Sequence, residues 1–193
     1  MRTKFQQKAA AFPLSLRDIK KLFFATDSFR DRCLLKALFW AGLRREEATK
    51  LDIRDIDFGR QRIKVRGKGG KTRIVPIIDD EFVSDLKHLI GNRTDGAVFA
   101  GPNGKALSIR TINHITQQAG EKAGVENPNP GLTHINPHIF RHSIARYLKS
   151  TGFSAEWVQN LLGHASYKTT MDMYGTISID EMQQEAERKL QTL

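Results

Sequence analysis

In PHIFRHSIARYL (residues 137–148) a proline suited to a first helical turn sets His138, Arg141 and His142 at i, i+3 and i+4, on neighbouring parts of one helix face. Aimed at a phosphodiester, such an arginine forks onto the phosphate oxygens while a histidine moves a proton. The same spacing also serves a packed histidine beside surface charge, and the segment alone does not separate the two. Zinc ligation by His134, His138 and His142 is disfavoured. Pro137 interrupts the helical spacing, no glutamate completes an HExxH pattern, and Arg141 between the ligands would repel a cation. GLRREEATKL (42–51) puts Arg44 just past a helix-ending glycine, with Glu47 three residues on. A second guanidinium near the first would stabilise a phosphorane without metal, and Glu47 could hold its orientation through an ion pair.

Two further stretches invite chemistry. GKGGKT (67–72) looks like a phosphate-binding loop, but the Walker pattern needs glycine where Val65 stands and a helix afterwards, whereas a strand follows. It is a hairpin tip whose lysines are either solvated or delivered to a phosphate held elsewhere. LLGHASYKTTMDMYG (161–175) ends a helix at Gly163, leaves His164 in the turn, and carries Tyr174 on a short helix. A tyrosine of pKa about 10 becomes a nucleophile only beside a base or in an electropositive pocket. Two arginines and two histidines could form that pocket. Tyr167 lies nearer His164 in sequence but is equally suited to anchoring the turn, and Tyr147, at helical spacing from Ile144, reads as core.

The elements that must position these groups are mostly helices. Ser15 with Asp18 opens a first helix through LRDIKKLFFAT, and a second is expected from Asp27 to Gly42. LRREEATKL is a short third. The period then changes: RIKVR (62–66) and TRIVPII (72–78) form a β-hairpin, the proline marking an edge strand. Helices are expected near 79–90, 108–123 and 138–150, then SAEWVQNLL, and a last one from Ser178, where Glu181 completes a capping box. The fold class is mostly α with a small antiparallel β-sheet (α+β). Residues 1–12 read as a basic tail or linker remnant, and 13–193 as one domain of ordinary core size.

Composition narrows the partner. Lys and Arg number 31 against 21 acids, a net charge of +10, which favours a polyanion, nucleic acid first and an acidic membrane surface second. There is no apolar run long enough to span a membrane and no secretory leader, and the lone Cys33 falls in an apolar helix as a core residue. A cytoplasmic protein is expected.

Taken together, GLRREEATKL, VRGKGGKTRIVPI, NPHIFRHSIARYL and LLGHASYKTTMDMY, in this order, resemble the catalytic domain of the tyrosine recombinase (phage integrase) family, from about Leu14 to Tyr174 and on into the C-terminal helix. The resemblance implies roles. Arg44 and Arg141 hold the scissile phosphate, and Lys68 protonates the departing 5′-oxygen. His138 assists proton transfer at the nucleophile, His164 hydrogen-bonds the phosphate region, and Tyr174 is the nucleophile, with Glu47 in support. The implied reaction is transesterification through a 3′-phosphotyrosyl bond, with no cofactor and no metal. The implied partner is double-stranded DNA, bound by a homo-tetramer through the C-terminal helix (about 178–190), whose Ile179, Met182, Ala186 and Leu190 form an apolar stripe.

Departures from the family pattern are Glu46, where a small residue is common, and Gly175 and Thr176, where a histidine often follows the nucleophile. A typical member also has a helical core-binding domain before the catalytic one, and this chain has only a dozen residues there. Type IB topoisomerase chemistry, or a regulator that binds DNA without cutting it, are the competing readings. Retention of all six groups weighs against the regulator.

Overall fold

Seven helices and a small sheet are built from the 12–163 stretch that the computed structural model describes. Ser15 caps α1 (Leu16–Phe24), its side chain accepting from the Asp18 amide. In α2 (Phe29–Trp40) the cap is Ser28 and not the expected Asp27, and the helix closes at Ala41, one residue before the expected stop. Ser28 accepts from the Asp31 amide, satisfying one of the amides a helix start leaves unpaired. Helix α2 is central: Cys33, Leu34, Leu35, Ala37, Leu38 and Phe39 are all fully buried. Burial, then the Asp85 charge, pushes the Cys33 thiol up to about 12, so it stays protonated and serves as core.

Lys36, on the same helix, is also buried, and its ammonium meets Glu81 at 2.7 Å and Asp85. Both acids lie on α4 (Asp80–Ile90), so the pair of bridges fixes α4 against α2. Burial opposes that charge, but the two carboxylates outweigh it and raise the lysine above its ordinary value.

Helix α3 (Arg45–Ala48) is a single turn, shorter than LRREEATKL suggested. The sheet has three antiparallel strands, not two: β1 (Ile56–Asp57) precedes the expected hairpin of β2 (Arg62–Arg66) and β3 (Thr72–Pro76). Two residues are too short a strand to read from periodicity. The order β1-β2-β3 leaves β3 at an edge, where Pro76 removes no needed donor. Ile63 pairs with Val75 and Val65 with Arg73, so those four share the inward face. At the tip, Gly67 donates to the Lys71 carbonyl at 2.8 Å, and a 3₁₀ turn runs through Lys68–Gly70. Gly69 and Gly70 there hold φ of 72° and 75°, which side chains avoid.

Helices α5 (Ile109–Ala123), α6 (Pro137–Ser150) and α7 (Ala155–Leu162) complete the body. Asn136 caps α6 by accepting from the His138 amide at 3.0 Å, and Pro137 occupies the first turn, so α6 begins one residue earlier than expected. Tyr147 packs edge-on against Trp40, ring centres 5.8 Å apart, which bears out its core role. Among the described residues no helix is long and apolar enough to cross a membrane.

Candidate active site

Glu47 is the hub of the site. Its carboxylate is buried at the foot of α3 and accepts from the Arg44 amide at 2.8 Å and from the Arg44 Nη1 at 2.9 Å. Arg73 then reaches it from β3 with both terminal nitrogens, at 2.6 and 2.9 Å. A planar fork on two carboxylate oxygens is the strongest common ion-pair geometry. Burial opposes ionisation of Glu47, but the Arg73 hydrogen bonds and charge, with Arg44 and Arg141 adding to them, hold its pKa below the ordinary 4.5.

The second feature is the carboxyl end of α7. A helix leaves its last four carbonyls unpaired. Here the amide of Gly163, at φ 63°, takes those of Gln159 and Asn160. The Leu161 carbonyl accepts from Arg73 Nε at 3.0 Å, and that of Leu162 from Arg141 Nη2 at 2.9 Å. Arg44 Nη2 reaches the Gly163 carbonyl at 3.5 Å. Three guanidinium groups from α6, β3 and the start of α3 therefore gather on one helix end, where partial negative charge favours cations. Arg141 donates also to the Gly42 carbonyl. Gly42 permits this approach by its φ of 55°, and a methyl group there would stand 2.5 Å from Leu162.

Arg141 is 4% exposed, and burial first, then the Arg44 charge, draws it down to about 9. It still carries its proton at neutral pH. Three guanidinium charges face one buried carboxylate, so the cluster keeps a surplus of positive charge aimed at any anion that enters. The entrance is a cleft of about 840 Å³ lined by Arg44, Glu46, Lys50, Arg66, Lys71 and Arg73, among others.

His138, in the first turn of α6, lies on the exposed side of the helix. Desolvation, then the charges of Arg45 and Arg141, lower its pKa below 6.5. The outcome is a neutral imidazole at pH 7, able to accept a proton. His142 Nδ1 is buried without a hydrogen-bond partner, and burial likewise lowers that residue's pKa. His134 turns instead towards Glu121, at 3.7 Å, and among the described residues no group of three or more His, Cys, Asp or Glu is arranged to hold a metal.

Of the expected site residues, Arg44, Glu47 and Arg141 are brought together directly, and His138 stands beside them on the helix of Arg141. The backbone of Lys68 opens the hairpin turn next to Gly67, which lines the same cleft. His164, Tyr167, Tyr174 and the helix from Ser178 lie outside the described residues. Glu46, the unexpected acid, pairs with its neighbour Arg45 at 2.7 Å, and so brings no unpaired negative charge to the cleft it lines. Arg73 is the residue that motif reading missed. Its signal was register: in RIKVR…TRIVPI it falls on the same face as Val75 and Ile77, and an inward-facing arginine requires a buried partner.

The body is mostly helical, with a three-stranded sheet and an arginine–carboxylate cluster at a helix end. Residues 14–178 match the phage integrase family, and the chain belongs to it. Tyrosine recombinase XerA of Pyrococcus furiosus is 33% identical over 183 residues, covering 91% of this chain and 60% of that protein. Tyrosine recombinase XerC of Proteus mirabilis is 39% identical over 149 residues, covering 74% and 46% respectively. The crystal structure of XerA recombinase superposes with a TM-score of 0.77 at 27% identity, over 92% of this chain and 64% of that one. XerH site-specific recombinase bound to its difH substrate, in a pre-cleavage complex, gives 0.70 at 25% identity, over 84% and 49%. The chain thus spans only 46% to 60% of the length of the two named relatives.

Proposed function

We propose that this chain carries out site-specific DNA recombination by cutting and rejoining duplex DNA through a 3′-phosphotyrosyl intermediate. The observation that carries this reading is the convergence of Arg44 and Arg141 on the end of α7, at the carbonyls of Gly163 and Leu162. The next residue in the chain is His164, and Tyr174 follows ten positions later. A phosphate seated on the two guanidiniums would meet a fixed pair of charges before any bond changes.

In the proposed reaction the Tyr174 oxygen attacks phosphorus and its proton passes to the neutral His138. The bond from phosphorus to the 5′-oxygen breaks as Lys68 gives that oxygen a proton, and His164 hydrogen-bonds the phosphate. The products are a tyrosyl 3′-phosphate and a free 5′-hydroxyl. That hydroxyl, or one from a partner duplex, reverses the step, so the bond energy is retained and no ATP is consumed. The guanidiniums supply the charge stabilisation of the phosphorane. The apolar stripe Ile179, Met182, Ala186 and Leu190 is the surface we assign to contact between subunits of a DNA-bound tetramer, working in the cytoplasm.

The test is incubation with supercoiled plasmid in EDTA, stopped with detergent. Relaxed plasmid and protein covalently linked to DNA 3′-ends are expected. Linkage seen only when a divalent cation is restored would overturn the mechanism. Relaxation without exchange between two copies of the linked sequence would point to a topoisomerase. In the same assay Arg141→Lys is expected to lower the rate of linkage about 10²–10³-fold, the usual loss for one transition-state donor. The ammonium keeps the charge but cannot hold the Gly42 and Leu162 carbonyls while facing a phosphate. A loss of only a few-fold would show that Arg141 acts as charge alone.

A further inference from the structure

We infer that Arg73 is a positioning residue for the leaving-group proton, acting through the hairpin that carries Lys68; this rests on the function proposed above. Arg73 stands opposite Val65, one pair below the last rung of the ladder, Arg66 with Thr72. From that rung the chain passes directly into the turn closed by Gly67 and Lys71. Its side chain, 14% exposed, spends one nitrogen on the Leu161 carbonyl and the other two on Glu47. A single planar group thus ties the hairpin to the end of α7 and to the carboxylate that orients Arg44.

Two glycines show how closely the parts meet. A methyl group on Gly163 would stand 2.6 Å from Arg73 Cδ, so the α7 end lies directly on the arginine. On Gly67 it would stand 3.9 Å from Glu47 Oε1, so the neck of the turn lies over the same carboxylate. Among the described residues no comparable support lies beyond the neck: an added methyl on Gly69 or Gly70 would meet none of them within 4 Å, and Ile74 on the outer face of β3 is 56% exposed. Among the described residues, Arg73 and Glu47 are therefore what holds the neck of the tip bearing Lys68.

A proton donor has to come within hydrogen-bond reach of the oxygen it serves, and a displacement of about 1 Å can cost about 10²-fold in rate. Arg73 also limits what Glu47 can take from Arg44. With both carboxylate oxygens engaged by β3, Arg44 gives the acid its amide and one nitrogen, and about a third of its side chain stays exposed towards the cleft.

The experiment compares two duplexes built on the plasmid sequence to which the wild-type protein becomes linked. One has the natural bridging 5′-oxygen, the other sulfur in its place. A thiol has a pKa of about 8.5, so its thiolate departs without a proton. Arg73→Gln is expected to link to the oxygen duplex about 10²-fold more slowly than wild type, and to recover to within several-fold of wild type on the sulfur duplex. Lys68→Ala should follow the same pattern, whereas Arg44→Ala should be slow on both. Equal slowness of Arg73→Gln on both duplexes would assign Arg73 to the phosphate-holding array or to folding, and normal rates on both would leave it no role. Either result overturns the inference. Should Arg73→Gln not fold, Arg73→Lys, which keeps the charge and loses the fork, takes its place. Should the wild type link to no DNA, the proposed function fails separately. Hydrogen exchange then decides: Arg73→Gln must speed exchange of the amides of residues 67–71 while leaving α2 unchanged, and unchanged exchange overturns the inference.

Discussion

Tyr174→Phe protein is expected to form no covalent DNA adduct and to leave supercoiled plasmid untouched, while binding duplex DNA as the wild type does. The substitution deletes one oxygen. A phenyl ring fills the same space and keeps the apolar edges, but it has no lone pair to attack phosphorus. On the proposed function, the DNA affinity of a chain of net charge +10 would come largely from phosphate contacts spread over many lysines and arginines, and none of these is altered. The two readouts should therefore separate completely: linkage scored after detergent, binding by gel shift at fixed salt. Tyr167→Phe is the matched control and is expected to keep its activity. Adduct formation by Tyr174→Phe with its loss in Tyr167→Phe would move the nucleophile seven residues upstream. Parallel loss of binding and linkage in Tyr174→Phe would count against a chemical role for that residue.

The second large effect is on stability. Glu47→Ala should lower the free energy of unfolding by about 3–5 kcal/mol, the usual result of removing one member of a buried ion pair. Arg73 and Arg141 are both largely buried and rely on this carboxylate to offset their charge. With about 1–3 kcal/mol per molar urea for a small domain, the midpoint should fall by at least about 1 M. A midpoint within the error of wild type would mean that the arginines find other partners, and that Glu47 is no hub. The acid limb of the stability curve gives an independent check. The folded pKa of Glu47 lies below its ordinary 4.5, so its contribution is complete above that pH and is lost as pH falls through the folded value. Wild type should lose more stability than Glu47→Gln as pH falls below 4.5, since the amide at 47 has no proton to gain there.

These expectations also show which parts of the molecule could be read along the chain. Capping at Ser15, Pro137 at the start of α6, glycine at the end of α7 and the edge-strand proline were all legible, because each depends on residues within one turn or one strand. Helix α2 is capped by Ser28 and begins at Phe29, later than the expected start at Asp27, because two adjacent residues could each cap it and only the packed helix chooses between them. Strand β1, two residues long, carries no period at all, and exists because β2 offers it a ladder.

The site divides in the same way. Sequence by itself determined the chemical kit: a guanidinium after a helix stop, a glutamate three residues on, a histidine and arginine one turn apart, lysines on a glycine-rich tip, and a tyrosine past a helix-ending glycine. Residue type and local spacing decide what a group can do, and both are written in the chain. The tertiary structure alone decided which groups share a charge. Glu47 is three residues from Arg44, yet its closest contact is with Arg73, 26 positions away across the hairpin. Arg141 completes the end of a helix 21 residues further along the chain. Such partners are chosen by burial: a charge removed from water must take whichever opposite charge or free carbonyl the packing of other elements brings within reach. That choice depends on the whole fold, and no local pattern encodes it.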